Sequence, residues 1–247
     1  MSKLFAILLI SIAFVAFIFY SRPNNTETAQ INNVDTKNNE NIVKSDDKYS
    51  IAWYKINSTD SIKLGSNLEE KMQSNDIAEK YGCKALVNAG FYSDEDKHIG
   101  LFKVDNQEIG AFTNNRLFNS VLYFEDNKLL ISSTEPDLYR SGVQTGPRLI
   151  SSDEINKLNL VSDKPARRMV YLSGEDSYFL AVYTSGNAYS GPYLAELGGI
   201  VKKFAENLNL SDFDAVNLDG GSASAFITPD FAFSEISPIG GYFCITD

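Results

Sequence analysis

The chain has 247 residues, with 43% apolar and 22% charged side chains, which fits one ordinary domain with a real core and excludes a disordered polar polymer. A formal net charge of −10 argues against a nucleic-acid partner, which needs clustered Lys and Arg facing phosphates. The one histidine, His98, excludes a multi-His zinc site, and no cofactor or metal is expected.

Lys3 precedes an apolar run from Leu4 to Tyr20, broken only by Ser11. As a helix that run spans about 25 Å, just short of a bilayer core. Residues 1–20 therefore read as a signal anchor or a signal peptide, with membrane contact through residues 4–20. Phe19-Tyr20-Ser21 lacks a small-x-small cleavage pattern, which favours an uncleaved anchor. The domain is then expected outside the cytoplasm, held at the membrane, or secreted if the segment is removed. Residues 21–48 are Asn-rich and too poor in apolar side chains to offset their ordering entropy. They read as a disordered tether, and the folded domain is expected over residues 49–247.

Strand signals dominate that domain. Ser50 to Ile56 reads as a strand, and Leu68 to Tyr81 has helical spacing ending at Gly82. Lys84 to Val87 is a short apolar strand running into Asn88-Ala-Gly90. Three hairpins follow: Ile99–Val104 with Gln107–Phe112, Ser120–Phe124 with Leu129–Ser132, and Met169–Leu172 with Ser177–Tyr183. Leu194 to Leu208 carries apolar residues at helical spacing. Asp214 to Leu218 is a buried strand entering Asp219-Gly-Gly-Ser222. The expected class is α+β: a single domain with a mixed, largely antiparallel sheet and a few helices. Cys83 and Cys244 are free to pair if the domain is exported, but two cysteines alone do not define a framework.

Four segments can carry chemistry. A buried strand delivers Asp219 to its end, where Gly220 and Gly221 let the backbone turn and approach a ligand, and Ser222 and Ser224 add hydroxyls. An ordinary Asp-Gly turn explains the same residues. Asn88 offers a donor and an acceptor to a sugar, and Phe91 and Tyr92 offer an apolar platform. Gln144-Thr-Gly-Pro147 shapes a rigid loop ahead of Arg148. Arg167 and Arg168 stand before an apolar strand, where a guanidinium can hold a phosphate by two bonds, although for one of the two a solvated arginine is the plainer reading. Asp94-Glu-Asp96 lacks the alternating ligand pattern of a calcium loop and reads as an acidic turn. A Ser-His-Asp triad would have to join His98 to Ser222, which lacks a nucleophile elbow.

In this order the segments resemble the phosphodiester glycosidase family. Asn88 to Phe91, Gln144 to Pro147, Arg167 or Arg168, and Leu218 to Ser224 look like its motifs, and the resemblance covers roughly residues 50–247. Arg168 is the preferred match of the two arginines. The resemblance implies cleavage of a sugar C1–O–phosphate bond in a cell-surface or extracellular glycan. It implies Asp219, Arg168 and Asn88 as catalytic residues, with Asp219 acting as base or as nucleophile. Gly90, Phe91, Gln144, Gly146, Gly220, Gly221, Ser222 and Ser224 are then substrate-binding, with the Gly220 and Gly221 amides meeting phosphate charge. The expected partner is a phosphoglycan or another sugar phosphodiester. The alternative is a non-catalytic glycan-binding module of the same fold, for which Asn88, Phe91 and Tyr92 serve equally well. A calcium-dependent surface protein using Asp94 to Asp96 is a further rival.

Overall fold

The apolar strands of this chain are unbroken because both of their faces are covered. In the hairpin Arg168–Ser173 and Ser177–Thr184, Met169, Tyr171, Phe179 and Ala181 enter one core. Val170, Leu172, Leu180 and Val182 enter another, which is the period-two alternation of a pleated strand. The computed structural model describes residues 42–44, 48–126 and 128–247. Its strands in chain order are β1 (Ile42–Lys44), β2 (Tyr49–Ile56), β3 (Ser61–Ser66), β4 (Ala85–Asn88), β5 (Phe102–Val104) and β6 (Gln107–Gly110). Then come β7 (Ser120–Glu125), β8 (Lys128–Ser132), β9 (Gly142–Thr145), β10 (Arg148–Ser151), β11 (Glu154–Ile155), β12 (Arg168–Ser173) and β13 (Ser177–Thr184). The last are β14 (Asp214–Asn217), β15 (Phe226–Thr228), β16 (Phe231–Phe233) and β17 (Gly241–Thr246). The helices are α1 (Ser74–Tyr81) and α2 (Leu194–Asn207), and Gly221–Ala223 forms a 3-10 turn.

The strands form three sheets: β1-β2-β13-β12-β14-β10-β11, β16-β15-β4-β17-β3, and β6-β5-β9-β7-β8. One face of the first sheet packs on the other two sheets through Tyr171, Phe179, Val87, Phe243, Phe102 and Leu122. Its opposite face is covered by α2 through Leu197, Val201 and Phe204. Helix α1 lays Ile77 on the outer face of the second sheet, against Leu86 and Cys244. The α+β class holds, with strands prevailing. The largely antiparallel pairing holds as well, but not within one mixed sheet: there are three sheets, and every strand pair among the described residues is antiparallel. Strand order between sheets depends on which faces meet, and apolar periodicity reports only that a face is buried.

All three expected hairpins form, as β5–β6, β7–β8 and β12–β13. The first turns at Asp105-Asn106, both with positive φ, as a tight hairpin turn requires. The helix read from Leu68 begins only at Ser74. Asn67 explains the delay: its side chain accepts from the Met72 amide at 2.9 Å and donates to the Met72 carbonyl at 3.0 Å. Those local bonds replace the first helical turn. β1 pairs with β2 from within the segment read as a tether, so ordered chain begins before residue 49. The apolar run at residues 4–20 lies outside the described residues. No helix among the described residues is long and apolar enough to cross a membrane. Cys83 and Cys244 are joined in a disulfide that ties the chain just before β4 to β17.

Candidate active site

A cavity of about 290 Å³ opens where the ends of β12 and β14 meet the N-terminus of α2. That volume sits at the small end of ligand pockets. Asp219, Arg168, Lys164, Asp163, Phe91 and Asn217 are among its lining residues, as are Gly146, Gly220 and Gly221. β4 and β14 belong to different sheets, yet their ends meet: Asn88 Nδ2 donates to the Asp219 carbonyl at 2.8 Å.

Asp219 leaves β14 just before the glycine turn and keeps an open edge toward the cavity. Oδ1 accepts from the Gly220 amide at 2.8 Å. Burial disfavours the carboxylate and pushes its pKa up to about 7, against the opposing pull of that amide and of the Arg168 charge. An ionisation near neutrality is what a group doing proton transfer or nucleophilic work at physiological pH needs.

The two arginines divide sharply. Arg167 is 1% exposed and enclosed, and Arg168 is largely covered too, so the expectation that one of the two is a solvated arginine does not hold. Its Nε donates to Ser224 Oγ at 3.0 Å, and Nη1 and Nη2 reach the carbonyls of Ala188, Ser224 and Ser234. Its guanidinium lies 4.8 Å over the Phe233 ring, and burial lowers its pKa to about 10. Arg168 lines the cavity. Nε and Nη2 donate to the Pro192 and Lys164 carbonyls and to Asp163 at 3.2 Å, and none of these bonds uses Nη1. The same Asp163 carboxylate accepts from the Leu194 and Ala195 amides, so it caps α2 and anchors Arg168 together.

Several sequence candidates lie beside the cavity without facing it, because the backbone has already claimed their polar groups. Asn88 is 1% exposed: Nδ2 holds Asp219 and Oδ1 accepts from the Ala225 amide at 3.0 Å. It positions the Asp219 turn rather than touching a ligand. Gln144 is also 1% exposed. Its Oε1 accepts from the Leu101 and Thr113 amides, and its Nε2 donates to the Thr113 and Phe118 carbonyls. Every hydrogen-bonding site on that side chain is occupied. Ser224 is fully buried, with Oγ donating to Gly221 O and accepting from Arg167. Ser222 is outside the cavity lining, and its carbonyl accepts from Ile236 and Ser237. Gly90 packs against Val143, where an added Cβ would come within 2.5 Å. The Gly220 amide serves Asp219 and the Gly221 amide serves Arg167 O, so neither is free to meet phosphate charge.

Phe91 does line the cavity, with its ring 4.6 Å from that of Phe118. Tyr92 turns away and donates to Pro238 O at 2.6 Å, so of the expected aromatic pair only Phe91 lines the cavity. Gly146 lines the cavity at φ 153°, and a Cβ there would meet Leu117 O at 2.3 Å. His98 stacks on Phe102, and burial lowers its pKa to about 4. Glu95 and Asp96 pair with Lys97 and Lys71. No metal-holding group of three acidic, His or Cys side chains occurs among the described residues.

Asp163, Lys164 and Asn217 were not singled out from sequence. Asn217 is the last residue of β14, two before Asp219. Asp163 and Lys164 lie in an irregular stretch with no periodic signal.

Gln144→Ala should lower stability by about 2–4 kcal/mol, since it strands the buried Leu101 amide and removes three part-buried bonds to Thr113 and Phe118. Hydrogen exchange should speed up at Leu101 and Thr113 in the same variant. A loss of ligand affinity with unchanged stability and exchange would show that Gln144 contacts ligand instead.

An α+β domain that presents a desolvated carboxylate, an anchored arginine and an aromatic wall to a small cavity has the makings of a hydrolase site. The chain belongs to the phosphodiester glycosidase family, whose model matches residues 81–241. The fold is similar to that of the zebrafish N-acetylglucosamine-1-phosphodiester alpha-N-acetylglucosaminidase catalytic domain auto-inhibited by pro-peptide. That match has a TM-score of 0.56 and 13% identity over 85% of each chain. A hypothetical protein from Synechocystis is also similar, with a TM-score of 0.55 and 13% identity, over 83% of this chain and 60% of that one. Among curated protein sequences, none matches this chain.

Proposed function

We propose that this protein hydrolyses the C1–O bond of a sugar-1-phosphodiester in a cell-surface or extracellular glycan. The observation that carries the reading is Asp219, a carboxylate with a pKa of about 7 on the wall of a cavity shared with Arg168 and Lys164. The two cations meet the charge of the phosphodiester and of the phosphate monoester that leaves. A phosphate is already a good leaving group, so the demand for a general acid is small. The ionised Asp219 acts at the anomeric carbon, either activating water or attacking directly. Phe91 offers an apolar face beside it. The site needs no cofactor for this chemistry. The Cys83–Cys244 disulfide supports a place outside the cytoplasm, where such bonds persist, and fits an apolar N-terminal segment acting as anchor or signal.

Hydrolysis of the methyl diester of N-acetylglucosamine 1-phosphate in ¹⁸O-labelled water tests the reaction. Cleavage at C1–O puts the label in the released sugar. Label in the phosphate would mean P–O cleavage and a phosphodiesterase, and no turnover across a panel of sugars would favour a glycan-binding module. Because both roles of Asp219 use the carboxylate, kcat/KM should rise with pH through about 7, the value to which burial pushes it. A limb that falls through that pH would make Asp219 an acid.

A further inference from the structure

The cavity wall holds a second carboxylate that the proposed chemistry does not use. Asp163 comes from the irregular stretch between β11 and β12, and it is the only carboxylate ion-paired with Arg168 among the described residues. Both side chains keep some exposure, 16% for Asp163 and 14% for Arg168, and both residues line the cavity. Asp163 Oδ1 accepts from Arg168 Nη2 at 3.2 Å and from the Leu194 amide at 3.0 Å, and Oδ2 accepts from the Ala195 amide at 3.0 Å. Those bonds take three of its roughly four acceptor sites, which leaves little for a substrate. Arg168 is held by the same device. Its Nε donates to Pro192 O, its Nη2 donates to Lys164 O as well as to Asp163, and the Ala166 amide donates to Pro192 O at 3.4 Å. The stretch 163–168 is thus pinned to residues 192–195 at the start of α2. Nη1 makes none of these bonds, and it is not one of the buried unpaired atoms, so it remains open.

We propose that Asp163 is the positioning residue of this site: it fixes the Arg168 guanidinium against α2 so that Nη1 meets the phosphate of the substrate. The proposal rests on the sugar-phosphodiester reading of the cavity. A guanidinium is planar, so bonds from Nε and Nη2 fix the direction in which Nη1 points. The Pro192 and Lys164 carbonyls are neutral acceptors, and Asp163 supplies the charge-assisted bond of the set. Burial disfavours the Arg168 cation, and of the two charges that offset this, Asp163 contributes more than Asp219. A cation already clamped gives up less freedom when an anion arrives than one on a loose stem. Because the same carboxylate bonds the α2 amides, the cation is tied to the frame of the helix and not to the loop alone. Asp163 acts through Arg168 and touches no reacting atom.

The test is a cycle of Asp163→Asn, Arg168→Lys and the double variant, with kcat/KM measured on the methyl diester of N-acetylglucosamine 1-phosphate. Asn is close in size but sets an amino group against at least one of the three donors. Asp163→Asn should cost about 10–100-fold in the wild-type background and less than about 3-fold in the Arg168→Lys background, where the clamp has already lost its guanidinium. Equal factors in the two backgrounds would overturn the proposal. That is the pattern of a helix cap, and equally of a carboxylate that handles a proton itself. Activity unchanged by Asp163→Asn would overturn it too. If Asp163→Asn does not fold, Asp163→Glu, which keeps a carboxylate for the α2 amides, takes its place and is read the same way. If no ester is hydrolysed, the proposed reaction fails, and the cycle is read on the rise in melting temperature given by inorganic phosphate. A rise cut by Asp163→Asn in the wild type, with no further cut in Arg168→Lys, upholds the role of Asp163. No rise, or one that Asp163→Asn leaves intact or cuts equally in both backgrounds, removes it.

Discussion

Asp219→Asn should lower turnover of a sugar-1-phosphodiester by about 10²–10⁴-fold while making the domain more stable at alkaline pH. The two effects share one cause. Asn keeps the shape and can still accept from the Gly220 amide, so the turn survives. It cannot act as base or nucleophile, so activity does not. The sign of the stability effect follows from the raised pKa. In the unfolded chain the group ionises near 3.8, and in the folded protein near 7. The native state thus holds the proton more tightly, and its advantage is lost as pH rises from about 4 through 7. At 1.36 kcal/mol per pH unit, that loss is at most about 4 kcal/mol at pH 8. Asn removes it. The melting temperature of the variant relative to wild type should therefore climb between pH 5 and pH 8. Retained activity would remove Asp219 from the chemistry, and a stability difference independent of pH would contradict its desolvation.

Arg167→Met should destabilise the domain by about 2–4 kcal/mol, because it strands buried carbonyls, and that is a large share of the 5–15 kcal/mol that holds an ordinary domain together. Methionine is apolar and ends about where the guanidinium begins, so the loss combines the missing hydrogen bonds with the space left over the Phe233 ring. Those bonds join Ala188, Ser224 and Ser234, three separate stretches of chain, and Ser224 in turn holds Gly221. The glycine turn after Asp219 should loosen with them. Arg167→Lys should also fail to restore stability, because an ammonium cannot reproduce the planar fork. The matching change at the neighbouring position has the opposite profile. Arg168→Lys should cost little stability, since Asp163 remains to cap α2, yet reduce activity through the lost fork. Chemical denaturation and kcat/KM on the same two variants separate the roles. A stable Arg167→Met protein would show that the buried guanidinium is dispensable to the fold.

By itself the sequence did not determine β3, β9 to β11 or β15 to β17, but it did determine the positions of β2, β4 to β8 and β12 to β14, with the three hairpins among them, helix α2 and the ordered motifs from Asn88 to Ser224. Each of these rests on local physics: period-two alternation, turn residues, helical spacing and a glycine pair after an apolar strand. It also marked Asp219 and Arg168, which line one cavity. Tertiary structure alone decided which polar residues near that cavity remain available to a ligand. Asn88, Gln144, Ser224 and Arg167 carry the same chemical groups as ligand-binding residues, and nothing local separates the two uses. Their partners lie far along the chain, 131 residues away for Asn88 with Asp219 and 57 for Arg167 with Ser224. Buried polar groups must be paired, so those distant backbone atoms consumed the hydrogen-bonding capacity that the motif displayed.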